Sequence, residues 1–319
     1  MATRTDREGL AVMNFAIDSL VTHLNLPNIE LEFESVMKKG SMEMIPNDWV
    51  VLASATARAL SSGVNGVVIL HGTDTMHYTA AALSFMLNGL SVPVVLTGSI
   101  LPGGDPGSDA LRNLRDAVSV AAFADLAEVC VVFSADASGS RRIIIRGCRA
   151  KKIYSNAMNA FASINVPPIG YTDEGKISYS ELERSGRSPR MLKLLTDLNS
   201  NVALIKLTPA ITPRMLAQSL EGTSGAVLEG TGIGHMRLEF CDVMREFRNP
   251  VVMSTQTIYG GERLGMYEDD KPILGIENLI PAHDMTSETA FVKLMWALGQ
   301  SGDLRSIMLS NIAGEISRK

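Results

Sequence analysis

The segment His71-Gly72-Thr73-Asp74-Thr75 places two hydroxyls and a carboxylate on three successive residues, just after a glycine that permits a tight turn. An aliphatic run ends immediately before it and an apolar-striped segment begins immediately after it. Thr73 and Asp74 therefore fall where a strand gives way to a helix, and the free amides at a helix N-terminus can hold an anion or a developing oxyanion. A threonine hydroxyl is a poor nucleophile near neutral pH and needs a base beside it, a role that a lysine of depressed pKa can fill. Lys151 and Lys152, in the stretch RGCRAKKIYS that comes after a second aliphatic run, are the candidates for that base. Each feature also has a plainer reading. Threonine and aspartate are good helix N-caps, and two adjacent lysines on a basic hairpin are ordinarily a solvated face.

Two further motifs carry less. GTGIGH (230–235) has some glycines of a dinucleotide-binding turn, but it lacks the third glycine in register and an acidic partner downstream, so it reads as a structural loop. Ser41 sits in a loop ahead of a helix opened by Pro46, which is also the pattern of an ordinary turn with proline at the helix start.

The elements that must position these residues emerge from hydrophobic patterning. The runs 66–70, 92–96 and 129–133 are continuous rather than alternating, as in strands buried on both faces. Amphipathic segments at 48–61, 78–90 and 109–124 lie around and between them. Strand–helix–strand alternation predicts a parallel sheet, and ligands bind such sheets outside the carboxyl ends of the strands, where the HGTDT turn falls. A polar stretch with glycine and proline, 181–195, is the expected linker. After it come the runs 202–207, 225–230 and 250–255 and a last helical pattern at 287–300. The expected architecture is α/β, two domains with mainly parallel sheets: a larger one over 1–190 bearing the active site and a smaller one over 200–319.

Composition narrows the function. The 319 residues suffice for a substantial core, and a net charge of −5 without a basic block offers no footprint for nucleic acid or membrane. Three widely spaced cysteines, Cys130, Cys148 and Cys241, with no CxxC pair, fit a reduced intracellular protein. The histidines show no HxxxH or HxH spacing, so no structural zinc is expected. The opening MATRTDREGL lacks the apolar core of a signal peptide, and the apolar runs are too short or interrupted to span a bilayer.

Taken in order, ILHGTDTMHYTAAALSFML, PVVLTGSILP, SDALRNLRDA, GCRAKKIYSNAMNAFASIN and NLIPAHDMTSETAFVKLMWALG closely resemble the type I, cytoplasmic-like L-asparaginases, the archaeal ones in particular. They also resemble the asparaginase-like subunit of the archaeal glutamyl-tRNA(Gln) amidotransferase, and the closing SNIAGEISR fits the same group. The resemblance implies an asparaginase-like fold. It implies a cytoplasmic amidohydrolase that converts L-asparagine to L-aspartate and ammonia by threonine-based acyl-enzyme chemistry, with no metal or other cofactor. L-Glutamine is the other substrate it allows. A homodimer or homotetramer is implied, with 255–267 near the subunit contact, and no membrane partner. A nucleic-acid partner is implied only if the chain is an amidotransferase subunit.

Residue by residue, Thr73 matches the second of the family's two threonine sites, and Asp74 beside it would bind the substrate's α-amino group. The family lysine lies in an Arg-(Ala/Val)-x-Lys pattern nine residues before a phenylalanine. Arg149, Ala150 and Phe161 put that role on Lys152 rather than Lys151. Ser41 matches a substrate-holding serine that usually comes after an aspartate, although Gly40 stands in that place here, and Ser99 joins the substrate-binding set. The family's first threonine, in Gly-Gly-Thr-Ile-Ala at the end of an interior strand, is the usual nucleophile and finds no counterpart. The opening residues instead match the segment just after that motif, with Met1 about where the isoleucine belongs. The chain is thus expected to begin just after that nucleophile through a misplaced start or a truncated frame; the alternatives are a true pseudoenzyme and an enzyme using only Thr73, with Thr3 and Thr5 as weak substitutes. Two rivals remain: the ammonia-generating subunit of a tRNA-dependent amidotransferase, and a catalytically inactive amino-acid-binding protein.

Overall fold

The structure is a computed structural model and describes residues 2–5, 11–14, 24, 26 and 28–317. Two compact units divide the chain, Met1–Leu194 and Leu195–Lys319. In the first, β1 (Ala2–Thr5) and β2 (Ala11–Asn14) pair antiparallel with each other. Met1 and the side chains of Thr3 and Thr5 lie outside the described residues.

A short 3-10 turn, Ser41–Glu43, leads into α1 (Pro46–Ser61). Pro46 supplies a preset φ where its missing N–H is not needed. Asp48 closes the helix start by accepting Ile45 N–H at 2.8 Å and Lys39 Nζ at 2.6 Å. Burial alone would raise this carboxyl, but the hydrogen bonds from Lys39 and Ile45 bring it below the ordinary aspartate range. Then come β3 (Val67–Leu70), α2 (Met76–Met86), β4 (Leu87–Asn88), β5 (Val94–Thr97), α3 (Ala110–Phe123), β6 (Val129–Ser134) and β7 (Arg142–Arg146). The hairpin β8 (Ala150–Lys152) and β9 (Phe161–Ser163) is next, then β10 (Gly170–Asp173) and β11 (Lys176–Tyr179).

The main sheet of this unit is ordered β11-β10-β7-β6-β5-β3. The pairs β3/β5 and β5/β6 are parallel, as the alternation of runs and helices predicts, and the other three are antiparallel. The sheet is therefore mixed: helical crossovers build its first half and short hairpin returns its second. β5 and β6 are buried throughout, whereas all four residues of β3 are half-buried, because among the described residues β3 is paired on one edge only. α2 stops at Met86 rather than near 90 because Leu87 and Asn88 pair with β12 (Lys193–Leu194).

The stretch read as a linker is anchored to this first unit. Arg187 donates through its guanidinium to Ala121 O at 2.7 Å and Ala124 O at 2.6 Å, at the C-terminal end of α3. It also donates to Asn65 O at 2.7 Å, just ahead of β3.

The second unit carries β13 (Val202–Lys206), α4 (Pro213–Leu220), β14 (Gly225–Gly230), α5 (Phe240–Glu246), β15 (Val251–Thr255), α6 (Lys271–Leu274), β16 (Leu279–Pro281), α7 (Ser287–Ala297) and α8 (Leu304–Leu309). Its sheet runs β13-β14-β15-β16 and is parallel throughout. Leu216, Leu228, Phe240, Met244 and Met253 share one buried cluster on it. The GTGIGH segment folds back on itself after β14, Thr231 N–H reaching His235 O at 2.9 Å, and α5 begins only at Phe240. The immediate strand–turn–helix context of a dinucleotide site is absent there. Lys293 and Glu315, both without exposed surface, form an ion pair at 2.6 Å. Lys293 Nζ also donates to Met308 O and Ser310 O, and Glu315 accepts Ala313 N–H at 2.7 Å, which ties the last described residues to α7. Among the described residues, no helix is long and apolar enough to cross a membrane.

Candidate active site

The turn after β3 does not cap α2. Thr75 occupies the cap position but makes no side-chain cap bond; its hydroxyl donates instead to Ser41 O at 2.7 Å. Ser41 Oγ accepts Asp74 N–H at 3.2 Å. The two contacts join the 3-10 turn ahead of α1 to the turn after β3, across more than thirty residues of sequence, and leave Ser41 buried.

Lys152 arrives from the other side. The 3-10 turn Gly147–Arg149 is wholly buried and presses against α2: a Cβ at Gly147 would crowd Ala80 O and Ser84 Oγ. From this fixed start β8 pairs with β9, which sets Lys152 opposite Phe161. The Phe161 ring meets Phe133 of β6 edge-on at 5.0 Å. Successive strand residues point to opposite faces, so Lys151 and Lys152 cannot serve one site, and it is Lys152 whose Nζ lies 2.9 Å from Thr73 Oγ1 and 2.7 Å from Asp74 Oδ1. The Lys152 side chain is 13% exposed and the Asp74 side chain 60%, so the ammonium is largely withdrawn from water while its counter-charge stays wet.

A second pair locks the turn. His71 Nδ1 is 2.6 Å from Gly72 O and its Nε2 is 2.9 Å from Thr79 Oγ1. A carbonyl can only accept, so Nδ1 carries the proton and Nε2 accepts the threonine hydroxyl. Burial pushes the imidazole below the ordinary histidine range, against the opposing effect of the Gly72 carbonyl. His71 is therefore a neutral brace on the turn.

Beside these groups lies a cavity of about 90 Å³ whose wall includes Ser41, His71, Gly72, Thr97 and Ser99. That is several times the roughly 10–15 Å³ needed to hold one water. Ser99 shares this wall with Ser41 but hydrogen-bonds to none of Ser41, Thr73, Asp74 or Lys152. Gly98 before it is required by close approach: a Cβ there would overlap His71 O. The structure thus joins Ser41, Thr73, Asp74 and Lys152 by direct bonds and sets Ser99 with Ser41 on the wall of a cavity that Thr73, Asp74 and Lys152 do not line.

This arrangement can move a proton between a hydroxyl and an amine and hold the amine's charge with a carboxylate, which is acid–base chemistry at an electrophilic carbon. His71, Thr79, Asp109 and Asn113, which brace the turns on either side, escape a reading of the sequence alone. His71 and Thr79 meet across a turn and a helix with no regular spacing, and Asp109 looks like any helix cap.

The chain is similar to several known proteins. The family described as "Asparaginase, N-terminal" matches residues 1–184, and "Glutaminase/Asparaginase C-terminal domain" matches residues 201–308. The L-asparaginase of Thermococcus kodakarensis is 40% identical over 296 residues, which cover 90% of this chain and 87% of that protein. A glutamyl-tRNA(Gln) amidotransferase subunit of Pyrococcus furiosus is also 40% identical, over 285 residues that cover 87% of this chain. The match spans only 65% of that subunit's own length. Among solved structures, the thermostable L-asparaginase from Thermococcus kodakarensis superposes with a TM-score of 0.89 at 37% identity, covering 100% of this chain and 96% of that one.

Proposed function

The chain belongs to the asparaginase family, and from that premise we propose that it is an amidohydrolase acting on L-asparagine, with Thr73, Asp74 and Lys152 as its acid–base machinery. The observation that carries this reading is the position of Lys152 Nζ between the Thr73 hydroxyl and the Asp74 carboxylate. The Lys152 amine takes the hydroxyl proton of Thr73, whose Oγ1 stands in for the family's first threonine and attacks the carboxamide carbon. The resulting ammonium, held by Asp74, returns that proton to the departing nitrogen as the C–N bond breaks, giving ammonia and an ester. A water, deprotonated by the same amine, cleaves the ester to L-aspartate and restores Thr73. Ser41 and Ser99 contact the bound amino acid from the cavity wall, and Asp74 also faces its α-amino group. The reaction is cytoplasmic and the working form a homodimer or homotetramer, with the 255–267 segment near the contact.

The identity to the Pyrococcus furiosus amidotransferase subunit favours a second reading, in which the same chemistry supplies ammonia to a partner subunit working on glutamyl-tRNA(Gln). One experiment separates these readings from an inactive amino-acid-binding protein: ammonia release from L-asparagine and from L-glutamine, measured for the chain and for Thr73→Ala. Release from L-asparagine that is abolished in Thr73→Ala is the expected result. Co-purification with a second subunit and tRNA would favour the amidotransferase. Calorimetric binding of L-asparagine without turnover would overturn both.

A further inference from the structure

The start of α3 breaks a local rule. An aspartate just before a helix normally turns its carboxylate onto the helix's own first amides. Asp109 holds that position and makes no such bond, and Ala110 N–H goes to Ser108 Oγ at 3.1 Å instead. The Asp109 carboxylate has no exposed surface and reaches back to the loop after β5. Its Oδ1 accepts Ile100 N–H at 3.1 Å and Leu101 N–H at 3.2 Å, and its Oδ2 accepts Asn113 Nδ2 at 2.8 Å. Asn113, equally buried, sits one turn along the helix. It donates to Gly98 O at 2.9 Å and accepts Ser134 Oγ from β6 at 3.3 Å. Only a carboxylate satisfies three converging donors without bringing a donor of its own.

The loop is thus held on both sides of one residue. Gly98 O, Ile100 N–H and Leu101 N–H are all engaged by α3, while Ser99 between them makes no hydrogen bond to any described residue and faces the cavity. Among the described residues, nothing engages any of its three polar groups. We propose that Asp109 and Asn113 are positioning residues for substrate binding: they fix the height and tilt of Ser99 so that its unengaged polar groups meet the amino acid in the cavity. This inference rests on the amidohydrolase reading. Neither side chain touches the reacting atoms, so their effect falls on binding rather than on the chemical step.

The test combines steady-state kinetics on L-asparagine with amide hydrogen exchange for the chain, Asp109→Asn and Asn113→Ala. In Asp109→Asn, KM for L-asparagine is expected to rise about ten- to a hundredfold with kcat within about threefold, the signature of a misplaced binding contact. Exchange at Ile100 and Leu101 is expected to quicken about tenfold or more while the middle of α3 is unchanged. A fall in kcat at constant KM, or unaltered kinetics and exchange, overturns the proposal. Where Asp109→Asn yields no folded protein, Asn113→Ala, which removes the bonds to Gly98 O, Asp109 Oδ2 and Ser134 Oγ, carries the same comparison. A wild-type chain that neither binds nor hydrolyses L-asparagine refutes the amidohydrolase reading and this one together. A wild-type chain that turns over while both variants keep its KM refutes only this one.

Discussion

Replacing Lys152 by methionine keeps a long unbranched side chain and removes the amine. The surroundings of this residue set two magnitudes. For catalysis, the proposed mechanism makes the amine both the base that takes the Thr73 proton and the acid that returns it to the leaving nitrogen. A positioned acid–base group is worth about 10²–10⁴ in rate, or roughly 3–5 kcal/mol of barrier. For stability, the partner carboxylate is 60% exposed, and an ion pair so open to water contributes about 0–1 kcal/mol. For a chain of this size that is a shift in Tm of no more than about 4 °C. Lys152→Met is therefore expected to lose two orders of magnitude or more in ammonia release while its melting curve scarcely moves. Lys151→Met, one residue away on the opposite face of β8, is expected to keep its activity. The assays are coupled ammonia release with L-asparagine and thermal unfolding tracked by circular dichroism. Retention of more than about a tenth of wild-type turnover in Lys152→Met would refute the assignment of this amine as the base. Loss of activity together with a large fall in Tm would show that Lys152 holds the fold rather than the reaction.

Three further outcomes are expected. Glu315→Gln removes one charge of an ion pair in a site of no solvent access, so urea denaturation should show a loss of stability of about 3–5 kcal/mol, far more than any surface ion pair gives. Gly98→Ala forces a methyl group into His71 O, so the ends of β3 and β5 must separate; activity should fall and hydrogen exchange in the 71–75 turn should quicken. Because burial depresses His71, its folded form binds fewer protons than the unfolded chain, so the stability it contributes is complete above about pH 6.5 and is lost as pH falls below that toward the folded value. Chemical denaturation of His71→Gln should accordingly show a slope between pH 6.5 and 5 that is shallower than wild type by up to about 1.4 kcal/mol per pH unit.

Several elements are legible in the sequence because their physics is local. The aliphatic run at 129–133 returns as β6, Pro46 opens α1, and the helical pattern at 287–300 returns as α7. The HGTDT turn is visible as a strand-to-helix corner for the same reason. The choice of Lys152 over Lys151 rests on the family resemblance, and in the structure it is Lys152 Nζ that lies within hydrogen-bond distance of Thr73 and Asp74. Other features depend on partners distant in sequence. Nothing near Ser41 announces that its hydroxyl receives Asp74 N–H, and nothing in 170–179 shows that β10 and β11 extend the sheet antiparallel. Asp109 misleads in a more informative way, since its position predicts a bond that it does not make.

The Arg187 guanidinium bears on where this chain can be cut. One side chain carries the carbonyls at the end of α3 and the backbone ahead of β3, and a cation at that end of a helix also opposes the helix dipole. Similarity to the N-terminal family ends at residue 184, three positions short of it. A fragment trimmed to that similarity would lose its own helix clasp and fray at α3, whereas one carried through Leu194 would keep both the clasp and the β4–β12 pairing. A protease offered the intact chain should likewise find the polar 181–195 stretch a poorer substrate than its composition suggests, because its backbone is already held. The border of a folding unit lies where its last hydrogen bonds close, and here that is some ten residues beyond the end of the N-terminal family match.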